Sequence, residues 1–197
     1  MTLASSPGER RFRLRLPQPD APAAAIFFVT LVTAGRECLF GSVARDGTLS
    51  HNEFGWMVQR EWLRTGFVRP ELDLDAYVVM PNHLHAVLAV APGAPVAGAP
   101  LSSTPLPSRV AEPVLAADQA PPQRVLGAAL AGFKAMCTVQ INHRRGRPGA
   151  PVWQRGFAER VVRSGSELDA VRRHIEENPE RWARRGATPP PDLRTCR

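Results

Sequence analysis

The chain predicts an α+β fold, an antiparallel sheet with helices packed on one face, and three observations carry that expectation. Extended, β-branched runs alternate with stretches of helical apolar spacing. Two of those runs, Leu72 to Met80 and His83 to Val90, are separated only by Pro81-Asn82, the spacing of an antiparallel pair. No apolar run approaches the ~18 residues of a membrane span, and 197 residues, 44% of them hydrophobic, suffice for one real core.

The elements follow in order. Ala25 to Thr33 is apolar on both faces at its centre, which suits a central strand. Gly35 ends it, and a shorter extended piece over Leu39 to Val43 leads to an Asp46-Gly47 turn. Asn52 can cap a helix running to about Thr65, marked by Phe54, Met57, Val58, Glu61 and Trp62 and closed by Gly66. After the strand pair, residues 91–122 are rich in Pro and Ala without any period, and read as a flexible insertion. Leu126, Leu130, Phe133, Cys137 and Ile141 then mark an amphipathic helix ending near Arg144-Arg145-Gly146. Glu159 to Arg163 reads as a short strand. Ser166 stands as the N-cap of a last helix burying Leu168, Val171 and Ile175 and stopping at Asn178-Pro179. The domain is expected to span 24–184, between a basic flexible N-terminus (1–23) and a loose tail (185–197).

Charge separates the halves. Residues 1–90 carry nine basic and nine acidic side chains, and residues 91–197 carry sixteen and nine, so the whole +7 lies in the second half. A basic half suits a polyanion, most simply nucleic acid. An Arg-rich coding bias would give the same figure, since 24 of the 25 cationic residues are Arg. Three cysteines are too few and too scattered for a disulfide framework or a zinc knuckle. Arg10, Arg11, Arg13 and Arg15 are followed by no signal-type apolar stretch, so a cytoplasmic location and no membrane partner are expected.

Met80-Pro81-Asn82-His83-Leu84-His85 has the clearest chemical content. Residues i and i+2 of a strand share a face about 7 Å apart, so two imidazoles there can converge on one divalent cation. A buried strand can equally begin with two histidines that only pack.

The blocks Phe28-Val29-Thr30, Arg36 to Gly41, Tyr77 to His85, Phe133-Lys134, Val152 to Arg155 and Ile175 to Pro179 recur here in an order that resembles the single-tyrosine HUH transposases, of the REP-associated tyrosine type. The resemblance runs from about residue 24 to 184. It implies a ferredoxin-like sheet, metal-binding roles for His83 and His85, and a Mg²⁺ or Mn²⁺ ion acting on single-stranded DNA beside a hairpin. No small-molecule cofactor is implied. In the family a tyrosine on the last helix attacks the phosphate, and a polar residue four positions later completes the metal site. Asn178 occupies that later place, and His174 stands where the tyrosine should be.

The sole tyrosine, Tyr77, lies on the strand before the histidine pair and is expected to pack there. His174 is open to three readings: a degenerate position in a dead enzyme, an added metal ligand, or itself a nucleophile. By the same resemblance Lys134 is a phosphate-contact candidate and Trp153 a base-stacking one, each against a plain packing role. Arg144, Arg145, Arg147 and Arg155 form the densest basic cluster and are the nucleic-acid candidates as a group. The function expected is transposase-like handling of hairpin-forming single-stranded DNA with impaired catalysis. The alternative is a catalytically inactive DNA- or RNA-binding descendant, its oligomeric state open.

Overall fold

The computed structural model describes residues 24–91 and 121–186; the expectations for 1–23, for most of the 91–122 insertion and for the tail after 186 lie outside them. The strands are β1 (Ala25–Val32), β2 (Gly41–Val43), β3 (Leu49–His51), β4 (Leu72–Met80), β5 (His83–Val90) and β6 (Ala158–Val162). The helices are α1 (Glu53–Val68), α2 (Pro122–Arg144), α3 (Gly165–Glu176) and α4 (Asn178–Gly186). The main sheet has the order β4-β5-β1-β6, every neighbour antiparallel, while β2 and β3 form a separate hairpin. Leaving out that hairpin, β1-α1-β4-β5-α2-β6 is the ferredoxin-like chain order.

Helices cover both faces, which corrects the expectation of one. Alternation along β1 and β5 sends Phe27, Val29, Leu31, Leu84, Ala86 and Leu88 to the face under α1 and α2. It sends Ile26, Val87 and Ala89, with Val78 and Met80 of β4, to the other, where Leu168, Val171 and Ile175 of α3 bury them. Strands apolar on both faces need two covers. Among the described residues α2 alone is long and apolar enough to cross a membrane, but its Leu126-to-Ile141 row is packed into the core.

A β-bulge in β4 between Leu74 and Tyr77 changes which residues share a face. Leu74 and Tyr77, not Ala76 and Val78, lie toward α1. The bulge also turns Asp75 inward, where it is 3% exposed and ion-paired with Arg172 of α3. Arg172 Nε reaches both its carboxylate oxygens, at 3.3 and 3.2 Å. Removing one partner of such a pair leaves a buried charge uncompensated. Arg172→Ala is therefore expected to cost about 3 kcal/mol, or roughly 6–12 °C in thermal midpoint for a chain of this size. Thermal unfolding followed by circular dichroism checks it, and a shift below a degree would show that α3 is held by its apolar face alone.

Two boundaries also differ. Gly66 does not end α1, which continues to Val68; a Cβ at Gly66 would stand 2.6 Å from Leu74 Cδ1, so this glycine serves close helix–strand packing. The N-cap of α3 is Ser164, whose hydroxyl accepts from Glu167 N at 3.2 Å, and not Ser166. The chain turns at Asn178-Pro179 into α4, a helix not expected from the sequence.

Candidate metal and nucleic-acid site

β5 begins at His83, so His83 and His85 point from its first turn of pleat to the face covered by α3. Their ring centroids lie 4.5 Å apart. Phe28 of β1 stands beside His85 at 5.2 Å and beside His174 of α3 at 5.9 Å. His174 is 5.3 Å from His85, and Trp182 of α4 lies 5.9 Å from His83. Asn178, 8% exposed at the start of α4, places its Nδ2 3.4 Å from His174 Nε2 and interacts with His83 through its side chain. The structure thus brings His83, His85, His174 and Asn178 into one cluster.

Hydrogen bonds fix the two imidazoles. Asn82 Nδ2 donates to Arg36 O at 3.2 Å, which leaves Asn82 Oδ1 to accept from His83 Nδ1 at 2.8 Å. Neutral His83 therefore carries its proton on Nδ1 and keeps Nε2 as a lone pair. Thr30 Oγ1, directly across the ladder, holds His85 Nδ1 at 2.9 Å and so engages that nitrogen rather than Nε2. Partners of this kind orient metal-binding histidines.

Burial pushes the pKa of His83 down to about 4, with the charges of His174 and Arg36 adding to the fall and the Asn178 hydrogen bond opposing it. Burial, then His83 and His174, pushes His85 down to about 3. Both rings are neutral at pH 7, the form a metal requires. With Asn178 Nδ2 turned to His174, its amide oxygen is left as an acceptor beside the two imidazoles. Among the described residues no three His, Cys, Asp or Glu side chains form a cation cluster, so His174 does not join His83 and His85 as a third ligand of that kind.

These shifts make the metal-free protein acid-sensitive. Below pH 6.5 the unfolded histidines take up protons that the folded ones refuse, so stability is whole above 6.5 and falls as pH drops, down to about 4 for His83 and about 3 for His85. At roughly 1.4 kcal/mol per pKa unit, the loss is on the order of a few kcal/mol. Denaturant midpoints in chelator at pH 7 and pH 4.5 should show it, and the double substitution His83→Gln, His85→Gln should shrink the difference. An unchanged difference would assign the acid sensitivity to other groups.

The remaining candidates are placed as follows. Trp153 is 7% exposed within the core, 5.1 Å from Phe40 and 5.9 Å from Phe133, bridged to Thr33; this corrects the base-stacking expectation, since neither ring face is offered. Lys134 Nζ donates to Gln154 O at 2.6 Å and Gly156 O at 2.8 Å, tying the following loop to α2. Arg144 Nε donates to Glu53 at 2.7 Å, and Arg145 to Asn142 Oδ1 at 2.9 Å and Pro151 O at 3.3 Å. Arg147 and Arg155 are exposed.

This basic group shares an end of the molecule with the histidines. Gln154 N donates to Val32 O, and Val32 is the ladder partner of His83. At the start of α1, Asn52 N donates to Phe40 O while Phe40 N donates to Pro81 O. Thr30, Arg36, Phe28 and Trp182 belong to the site but were not singled out by sequence reasoning. Phe28, Thr30 and Arg36 lie in the blocks that carry the resemblance, but their roles depend on strand register, and that of Trp182 on α4.

No family model matches the chain. It is 26% identical over 172 residues to an uncharacterized protein of Haemophilus influenzae, across 87% of this chain and 89% of that one. Among solved structures it is similar to a candidate transposase from Deinococcus radiodurans R1, with TM-score 0.45, 13% identity, and 83% of this chain and 97% of that one covered. It is also similar to a REP-associated tyrosine transposase bound to a REP hairpin, with TM-score 0.45, 15% identity, and 88% and 74% covered.

Proposed function

We propose that this chain is a transposase-like protein of the single-tyrosine HUH class, acting on hairpin-forming single-stranded DNA through a divalent-metal site that lacks its tyrosine nucleophile. The observation that carries the reading is the pair of neutral imidazoles, each tethered at Nδ1, set beside Asn178 at the basic end of the sheet. His83, His85 and Asn178 would hold Mg²⁺ or Mn²⁺. Such an ion supplies Lewis-acid polarisation of a phosphate oxygen. The chain's own residues orient it: Asn82 and Thr30 hold the rings, Phe28 and Trp182 wall the site, and the Arg144–Arg155 region offers cations at the same end.

A second reading, a binding protein that no longer cuts, is favoured by the nucleophile's place. Tyr77 lies on the opposite sheet face, paired with Ala86 and accepting from Gln59 Nε2 at 3.3 Å under α1. It stands on the wrong side of the sheet to attack a phosphate held by the histidines.

DNA handling is tested by anisotropy with a labelled hairpin carrying a single-stranded flank. Affinity should fall with salt by a log–log slope of roughly −0.7 per single-strand phosphate contacted. Replacing Arg144, Arg145 and Arg147 together by Gln should flatten that slope by about two units. Salt-independent affinity would reduce the +7 to a matter of composition.

A further inference from the structure

The outer side of α1 carries large apolar side chains that no part of the described chain covers. Trp56 is 51% exposed, Leu63 39% and Phe67 88%. At 100° per residue these three and Arg60 fall within about 60° of one another, directly opposite the buried Val58 and Trp62. The stripe is about 16 Å long from Trp56 to Phe67, at 1.5 Å per residue. Arg64 and Arg144 flank one side of it. Arg144 pairs with Glu53 at 2.7 Å in an exposed ion pair of the weak kind that readily exchanges partners, while Arg64, itself exposed, reaches the buried carboxylate of Glu61 at 3.1 Å.

We propose that this face of α1 binds single-stranded nucleic acid, with bases stacking on Trp56 and Phe67 and phosphates on Arg60, Arg64 and Arg144. The inference goes beyond the metal-site reading and shares only Arg144 with it, because α1 lies under the opposite face of the sheet. Rings separated by guanidinium groups, rather than a continuous apolar patch, suit a strand that alternates flat bases with charged phosphates. The rival occupant is a second copy of this chain. A two-fold contact centred on the stripe would press Arg60 against its own copy, an unfavourable like-charge meeting. The platform is firmly seated: α2 packs against α1, held by Gln140 to Glu61 at 3.0 Å and by the rings of Trp62 and Phe133 at 5.3 Å.

The test is anisotropy of a short fluorescein-labelled oligothymidylate with chelator present, so that the metal site plays no part. Trp56→Ala and Phe67→Ala should each weaken binding about tenfold, while Arg60→Gln and Arg64→Gln should each flatten the salt slope by roughly 0.7. Trp56→Ala should bind Mn²⁺ in calorimetry as the parent does, which separates a failure here from a failure of the metal-site reading. Both rings are outside the core, and circular dichroism melts of the variants should match the parent. In the parent the oligonucleotide should also quench tryptophan fluorescence, and Trp56→Phe should lose most of that quench while keeping the fold. Parent-like affinity in the Trp56→Ala, Phe67→Ala protein overturns the proposal. So does sedimentation showing a parent dimer that Trp56→Ala dissolves with oligonucleotide binding intact, because the stripe is then a protein interface.

Discussion

Alanine at His83 or at His85 is expected to abolish Mn²⁺ binding in titration calorimetry, each variant alone bringing the heat to baseline. Two imidazoles and one amide are a sparse donor set, so the loss of either ring leaves too little to compete with water. The tethering groups should act more mildly. Thr30→Val frees His85 Nδ1, and Asn82→Ala frees His83 Nδ1, and each is expected to weaken the ion about 10–100-fold. Asn178→Asp replaces a neutral oxygen donor by a carboxylate and should tighten binding. This graded series separates a metal site from a packed histidine pair. If both alanine variants bind Mn²⁺ as the parent does, the two rings are structural, and their depressed pKa values record burial alone.

The histidine pair was legible because period two is a local property: once His83 and His85 open a strand, they must share a face. Asn178 was reachable only through the family resemblance, which sets a polar residue four positions after the place that His174 occupies, although the helix breaks just there. Other parts of the site belong to register, which sequence does not display. Thr30 meets His85 only because β1 pairs β5 with that alignment. The bulge at Asp75 shifts half of β4 by one residue and so decides that Tyr77 and the histidines lie on opposite faces. The placement of α3 was in principle readable from β1, whose centre is apolar on both sides, a pattern that demands a cover on each. Trp153 shows the opposite limit. Its place after a helix and before an Arg was compatible with stacking, and only the bridge to Thr33 and the rings of Phe40 and Phe133 show it to be core.

His174→Tyr is expected to turn the protein from one that binds hairpin-flanked DNA into one that becomes covalently attached to it. The imidazole at 174 already stands 5.3 Å from His85 and against Asn178, half-buried at the edge of the cluster. Cβ direction from α3 is unchanged by the substitution, and a phenol extends further along that direction than an imidazole does. Its oxygen would form the bond to phosphorus as the bond to the 3′ oxygen breaks, and the departing oxygen would take a proton to become a free 3′-hydroxyl. The downstream strand would stay on residue 174, joined through its 5′ phosphate. Incubation with Mn²⁺ and a labelled hairpin substrate, followed by denaturing electrophoresis, should show a shifted protein band for the variant and none for the parent. His174→Phe, of nearly the same shape without the oxygen, should show none either. Cleavage by the parent that His174→Ala stops would make the histidine a participant, attacking through a ring nitrogen. An inert His174→Tyr that still binds metal and DNA would mean that the loss extends past the nucleophile, to the positioning of the strand against Asn178 and the histidine pair.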